Sequence, residues 1–202
     1  MTSVASYKNG PVEVVSANDS KPFDAFKLSE AINAHLRPHP ISVLKAENAD
    51  PEFHARFDAV RRYYSYIVIN RRAPLALQRG HAWRVGPRLD GDAMQRAADK
   101  LVGKHDFTTF RDGKCQAKSP IKTLDEVEVN FWDHHQEIEF IFVAQSFLHR
   151  QVRSIVGTLV EVGLGKMTAA DVAAALAAKD RAQCGPVAPP DGLCLTLVDY
   201  AK

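Results

Sequence analysis

Leu124–Ala144, LDEVEVNFWDHHQEIEFIFVA, decides the fold class. Its two arms, LDEVEVNFW and QEIEFIFVA, alternate apolar and polar residues with a period of two, and Asp133-His134-His135 separates them. That pattern predicts an antiparallel hairpin. The segments around it have a helical period. The next stretch, Phe147–Leu159 (FLHRQVRSIVGTL), predicts a helix beginning near Phe147 and ending near Gly163 or Gly165. On it Leu148, Val152, Ile155, Leu159 and Val162 form one apolar face, with His149 and Arg153 on its flank. Gly157, four residues beyond Arg153, marks a place where another segment approaches closely. Arg150 and Arg153 read either as solvated, snorkelling side chains or, for Arg153, as a half-buried cation that needs a carboxylate or phosphate.

Working outward, Thr168 and Asp171 form a capping signal for an alanine-rich helix to Lys179. Pro186–Pro190 reads as a loop and LCLTLVDY as a closing strand. Upstream, Asp90 or Asp92 opens a helix through Leu101 that Gly103 can end. Tyr63–Ile69 is β-branched and aromatic, hence a strand, with Tyr64, Tyr66 and Val68 on one face. Asp24 caps a helix to about His35, Ile41–Leu44 reads as a strand after Pro38 and Pro40, and Val12–Val15 is a short strand candidate. Helices segregated beside antiparallel strands give an α+β class.

The chain has 202 residues and a formal charge of +2, so nucleic-acid binding requires a local basic surface rather than a whole-molecule field. One such surface is suggested by Arg61, Arg62, Tyr64 and Tyr66 on a strand and by Arg111, Lys114, Lys118 and Lys122 in a basic loop over 108–122. The alternative is a tyrosine-rich strand facing a core, with solvated lysines around it. Three cysteines without a CxxC spacing indicate free thiols and a reducing compartment. No apolar run reaches the ~18 residues of a membrane span, which gives an expectation of a cytoplasmic protein. Asp133-His134-His135 has no second ligand cluster, and His105-Asp106 no matching pair, so no metal is expected; Asp106 reads as a cap for the next turn.

FHARFDAVRRYYSYIVIN, LVGKHDFTTFR, AQSFLHRQVRSIVGTLVEVG, AAKDR and GLCLTLVDY together resemble the tRNA pseudouridine synthase A family, in its order and near its spacing. PFDAFKLSEAINAHLRPHPI is similar to the end of the family's first half. The resemblance covers roughly residues 21–202. It implies an α+β fold of two related halves, whose antiparallel sheets, flanked by helices, meet around a central RNA-binding cleft. Here the halves would be 1–57 and 58–202, the first incomplete and 1–20 a poor match. It implies isomerisation of uridine to pseudouridine in the anticodon stem-loop of tRNA, by a homodimer using no metal or organic cofactor. Carried over, Tyr64 is the tyrosine that stacks on the target base, Arg153 the partner of the catalytic aspartate, and Phe147 and Leu148 the motif before that arginine. Arg61, Arg62, Arg111, Lys114 and Lys118 are the expected RNA contacts. Counting back from Gly10-Pro11-Val12 puts Ser3 on the aspartate position, Thr2 on its threonine and Tyr7 on its histidine; Asp19 falls after the strand. The nucleophilic aspartate is therefore missing, and the expectation is a fragment or a frameshifted product. The alternative is a catalytically inactive homologue that still binds tRNA.

Overall fold

The computed structural model describes residues 2–4, 14–16, 24–132 and 136–201, with the backbone alone for 2–4 and 14–16. The chain divides into two compact units, residues 1–60 with 194–202, and residues 61–193.

In the first unit, β1 (Thr2–Val4) pairs antiparallel with β2 (Val14–Ser16), Ser3 standing opposite Val15. Of the strand expected at Val12–Val15, Val12 and Glu13 lie outside the described residues, as do Tyr7, Gly10, Pro11 and Asp19. Helix α1 (Ala25–Leu36) starts where Asp24 accepts hydrogen bonds from the N–H groups of Phe26 and Lys27. The strand expected at Ile41–Leu44 does not form. Its backbone is satisfied differently: the Asn33 amide donates to the Val43 carbonyl at 2.9 Å and accepts from the Val43 N–H at 2.7 Å. A helix side chain thus takes the place of a neighbouring strand. The Tyr200 hydroxyl donates to the Ala55 carbonyl, and its ring meets Phe53 edge-on.

Strand β3 (Ala59–Asn70) crosses into the second unit, whose sheet has the order β4–β3–β7–β6–β5. Here β4 is Trp83–Val85, β5 Gly103–Asp106, β6 Ile121–Trp132 and β7 Glu137–Ala144. The expected hairpin is present: β6 and β7 run antiparallel, Val127 opposite Phe142 and Val129 opposite Phe140, with a bulge between Leu124 and Glu126. β7 pairs in turn with β3, so Tyr64 faces Phe142 and Tyr66 faces Phe140. Tyr66, Val68, Phe140, Phe142 and Ile138 are fully buried, which makes this the core face of the sheet. β4 runs parallel to β3 and was not foreseen, since three residues carry too little pattern. Asn70 holds it, donating to the Val85 and Pro87 carbonyls.

Three helices supply the rest of the core. Helix α2 (Gly91–Ala98), capped by Asp90, packs against β6 and against the two helices that follow. It passes into a 3-10 turn at Asp99–Leu101, so Gly103, at φ +103°, opens β5 instead of ending the helix. Helix α4 (Ala169–Ala178) has a complete capping box between Thr168 and Asp171.

Helix α3 is Gln151–Gly163, and it corrects two expectations. It begins four residues after Phe147, because Arg150 adopts φ +60° and the Gln151 side chain accepts from the Leu148 N–H. It also has no exposed polar face: eleven of its thirteen residues are buried, and Arg153 and Glu161 are the exceptions. His149 is therefore outside the helix and does not share a flank with Arg153. Gly157 does receive a close neighbour. A Cβ there would lie 1.7 Å from the Pro186 carbonyl oxygen. Among the described residues no helix is long and apolar enough to cross a membrane.

Candidate nucleic-acid interface

The strap from Pro186 to Gly192 lies against α3 and β3, and Arg153 fastens it. The Arg153 Nε–H donates to the Ala188 carbonyl at 2.7 Å, and the Ala188 N–H donates back to the Arg153 carbonyl at 3.0 Å. Next along, the buried Tyr66 hydroxyl donates to the Pro189 carbonyl at 2.7 Å. Burial pushes that hydroxyl's pKa well above the ordinary tyrosine value, so it is a donor at every physiological pH. Gly192 completes the contact, for a Cβ there would sit 2.6 Å from the Ile67 carbonyl oxygen. Among the described residues no carboxylate comes within ion-pair distance of the Arg153 guanidinium. Its pKa is pulled down by burial and by the nearby Arg150, with Tyr66, Asp191 and Asp112 acting the other way. What results is a half-buried cation, fixed through Nε, with no anionic partner among the described residues.

The residues before α3 point elsewhere. Phe147 meets the Tyr64 ring edge-on at 5.1 Å between centroids, which ties the last turn before the helix to β3. Leu148 is buried in the core. His149 and Arg150 both reach Asp112, at 3.4 and 3.0 Å. The Lys114 N–H, then Arg150 and His149, hold the Asp112 carboxyl below the usual carboxylate range. Arg150 is thus answered by a carboxylate that His149 also reaches, whereas Arg153 has no such partner among the described residues.

The basic residues divide as well. Arg61 pairs with Asp125 at 3.5 Å, and Arg62 donates to the Gln145 carbonyl. Arg111 donates to the carbonyls of Cys115 and Ala117 at 2.8 and 2.7 Å, so its guanidinium closes the 111–117 loop from inside. Lys114 and Lys118 stand exposed on that loop, whereas Lys122 is on β6. The expected 108–122 loop is shorter, since 108–110 form a 3-10 turn and 121–122 open a strand. Asp106 caps the turn as expected, accepting from the Thr108 N–H and hydroxyl. Two further stretches that carry the resemblance, HDFTTFR and AAKDR, hold each other rather than the site. The Thr109 hydroxyl donates to the Ala175 carbonyl and accepts from the Asp180 N–H, and Arg181 donates to the Thr109 carbonyl.

Residues 97–201 match the model of the tRNA pseudouridine synthase family. A tRNA pseudouridine synthase A of Rhodopseudomonas palustris (strain HaA2) is 57% identical over 188 residues, covering 93% of this chain and 76% of the relative. That of Bradyrhizobium diazoefficiens is 58% identical over the same shares. That of Parvibaculum lavamentivorans is 60% identical over 173 residues, 86% of this chain and 70% of the relative. The chain belongs to the tRNA pseudouridine synthase family.

Within that family's frame, the structure brings Tyr64, Phe147 and Leu148 to one turn and sets Arg153 on the helix that follows it. Ser3 is on β1, in the other unit, and nothing of its side chain is described. Asp133-His134-His135 lie outside the described residues. Sequence reasoning missed Asp112, and it set Tyr66 on a possible nucleic-acid surface, whereas the structure buries that ring in the core and ties its hydroxyl to the strap. An isolated aspartate in a basic loop was the available signal for the first. For the second none existed, because a buried strand tyrosine looks alike with or without a hydrogen-bond partner.

Proposed function

We propose that the chain serves the isomerisation of uridine to pseudouridine in the anticodon stem-loop of tRNA, supplying the base-gripping and arginine side of the site. The reaction breaks the N1–C1′ bond, forms a C5–C1′ bond, moves a proton off C5 and places one on N1; it requires neither oxidant nor metal. The target uridine must leave its stack, at a cost of a few kcal/mol. Stacking on Tyr64, with Phe147 fixing that ring from its edge, returns ~1–3 kcal/mol. A catalytic carboxylate has to act as an anion, attacking the sugar or removing a sugar proton. A fixed guanidinium such as Arg153 keeps it ionised and aimed. Arg61, Arg62, Lys114 and Lys118 hold the RNA backbone, and Arg111 shapes the loop that presents the two lysines. We propose the same division into halves at 57/58, a homodimer, and the cytoplasm as its place of action.

The observation that carries this reading is Arg153, bound through Nε to Ala188 and lacking a carboxylate among the described residues. That observation also favours a second reading, a tRNA-binding homologue without catalysis. Incubating the purified chain with unmodified tRNA, and measuring pseudouridine together with tRNA affinity, separates the two. We expect binding without product, since Ser3 matches the aspartate position and a serine hydroxyl is no anion near neutral pH. Product that disappears in Arg153→Gln would overturn that expectation and establish a complete catalytic pair. A chain that neither binds nor modifies tRNA would remove both readings.

A further inference from the structure

Residues 71–89, which join β3 to α2 by way of β4, carry five arginines (Arg71, Arg72, Arg79, Arg84 and Arg88) and no lysine, aspartate or glutamate. In a chain whose 26 basic and 24 acidic residues nearly cancel, this is a local concentration of one sign. The segment is anchored to the sheet. β4 pairs with the end of β3, the Trp83 ring meets Tyr66 edge-on, and Ala82, Val85 and Leu89 are buried. Asn70 draws the two ends of the segment together. Its amide donates to the Val85 and Pro87 carbonyls, and its Oδ1 accepts from the Leu89 N–H at 3.0 Å. Arg71 and Arg72 follow Asn70 in the chain, and Arg88 lies between Pro87 and Leu89, so one knot roots all three.

Two of the arginines shape the segment and three do not. Arg84 donates to the Arg72 carbonyl at 2.8 Å and Arg71 to the Pro74 carbonyl at 3.4 Å, bonds that use donors without cancelling charge. Arg72, Arg79 and Arg88 are exposed, and among the described residues their guanidinium groups have no hydrogen-bond or ion-pair partner. Asp90, next in the chain, is committed to the cap of α2. Glu137, across β3 from Arg84, forms no ion pair among the described residues. Like charges gathered without an anion cost stability, so the arrangement points to a polyanion supplied from outside. We infer that residues 71–89 form a second RNA contact, which holds phosphates of the tRNA backbone beyond the nucleotide stacked on Tyr64. The residue type fits this partner, because a guanidinium presents a planar fork that meets a phosphate with two hydrogen bonds. Position fits it too. Asn70 is six residues along β3 from Tyr64, about 20 Å at the rise of a strand, too far for the target nucleotide's own phosphate but within the span of a tRNA arm.

This inference rests on the tRNA reading, and its test keeps the two apart. Affinity for tRNA is measured against salt for the wild-type chain, for Arg72→Gln/Arg79→Gln/Arg88→Gln and for Lys27→Gln/Lys45→Gln/Lys166→Gln. The lysine variant removes the same formal charge from side chains already paired with Asp24, Glu47 and Glu161. The arginine variant is expected to melt at or above the wild-type temperature, since it relieves repulsion. It should lose roughly tenfold or more in tRNA affinity, with the log–log salt slope smaller by about two, while the lysine variant binds like wild type. A melting temperature below wild type would make these arginines structural supports and overturn the inference. Equal losses in both variants would assign the effect to net charge and overturn it as well. Wild-type binding with no change in the arginine variant would overturn the second contact and leave the tRNA reading standing. No RNA binding by the wild-type chain would overturn both. Displacement of tRNA by polyglutamate at an equal concentration of charge would assign the segment to an acidic protein and likewise overturn it.

Discussion

At the scale of single residues, the distribution of partners separates supporting groups from those held ready for a ligand. Asp112 is a support. It draws His149 and Arg150 to one carboxylate and accepts the Lys114 N–H, and Arg150 keeps φ +60° beside it. A non-glycine residue in that conformation needs surrounding contacts to hold it. Because the folded chain lowers the Asp112 pKa, its contribution to stability is present above the ordinary carboxylate value of about 3.9 and is lost as pH falls through the lower folded value. The melting temperature of Asp112→Asn should therefore lie below wild type at pH 6, and the gap should close toward pH 3. A gap that persists at pH 3 would mean that the charge of Asp112 is not what holds the turn. Arg153 differs in having Nε fixed and no carboxylate within ion-pair distance among the described residues. Lysine cannot keep the Nε bond to Ala188 and also present a planar fork, so Arg153→Lys should behave as a loss rather than a conservative change.

At the scale of elements, period and capping chemistry were legible wherever a segment was long and its environment one-sided. The β6–β7 hairpin, α1 with its Asp24 cap, the Thr168–Asp171 box and the strand Leu193–Tyr200 all follow from local pattern. Ile41–Leu44 misled because β propensity describes a side chain's fit to a sheet, and at this place the partner is the Asn33 amide. The start of α3 misled because apolar spacing continues through Phe147-Leu148 while the backbone turns left-handed at Arg150, a change no side-chain pattern records. The close approach at Gly157 was legible as a glycine in an apolar helix, but its neighbour Pro186, distant in the chain, was not. Gly157→Ala should cost about 1–3 kcal/mol by overpacking, because the Pro186 carbonyl is backbone and the strap must shift. Urea unfolding reads this directly, and a variant as stable as wild type would show that the strap moves freely.

At the scale of the whole molecule, a charge of +2 over 202 residues leaves association with RNA to local surfaces. Lys114 and Lys118 are exposed, whereas Arg111 is spent on its own loop. Replacing both lysines with alanine should lower the log–log salt slope of tRNA binding by about one to two, with little effect on folding. An unchanged slope would take that loop off the RNA path. Arg111→Ala should instead destabilise the loop and disturb the placement of Lys114 and Lys118 together. The sequence placed these cations on one surface by type alone; which of them were already occupied depended on carbonyls brought in by the fold.

The strap and α3 share one reciprocal pair of hydrogen bonds, and only one of the two has a proton that reports on it slowly. The Ala188 N–H, held by the Arg153 carbonyl in a buried place, can exchange with solvent only when the strap lifts. Its deuterium uptake is therefore a clock for the opening of the arginine's own seat. A ligand that settles on Arg153 should slow that clock without touching Ala188.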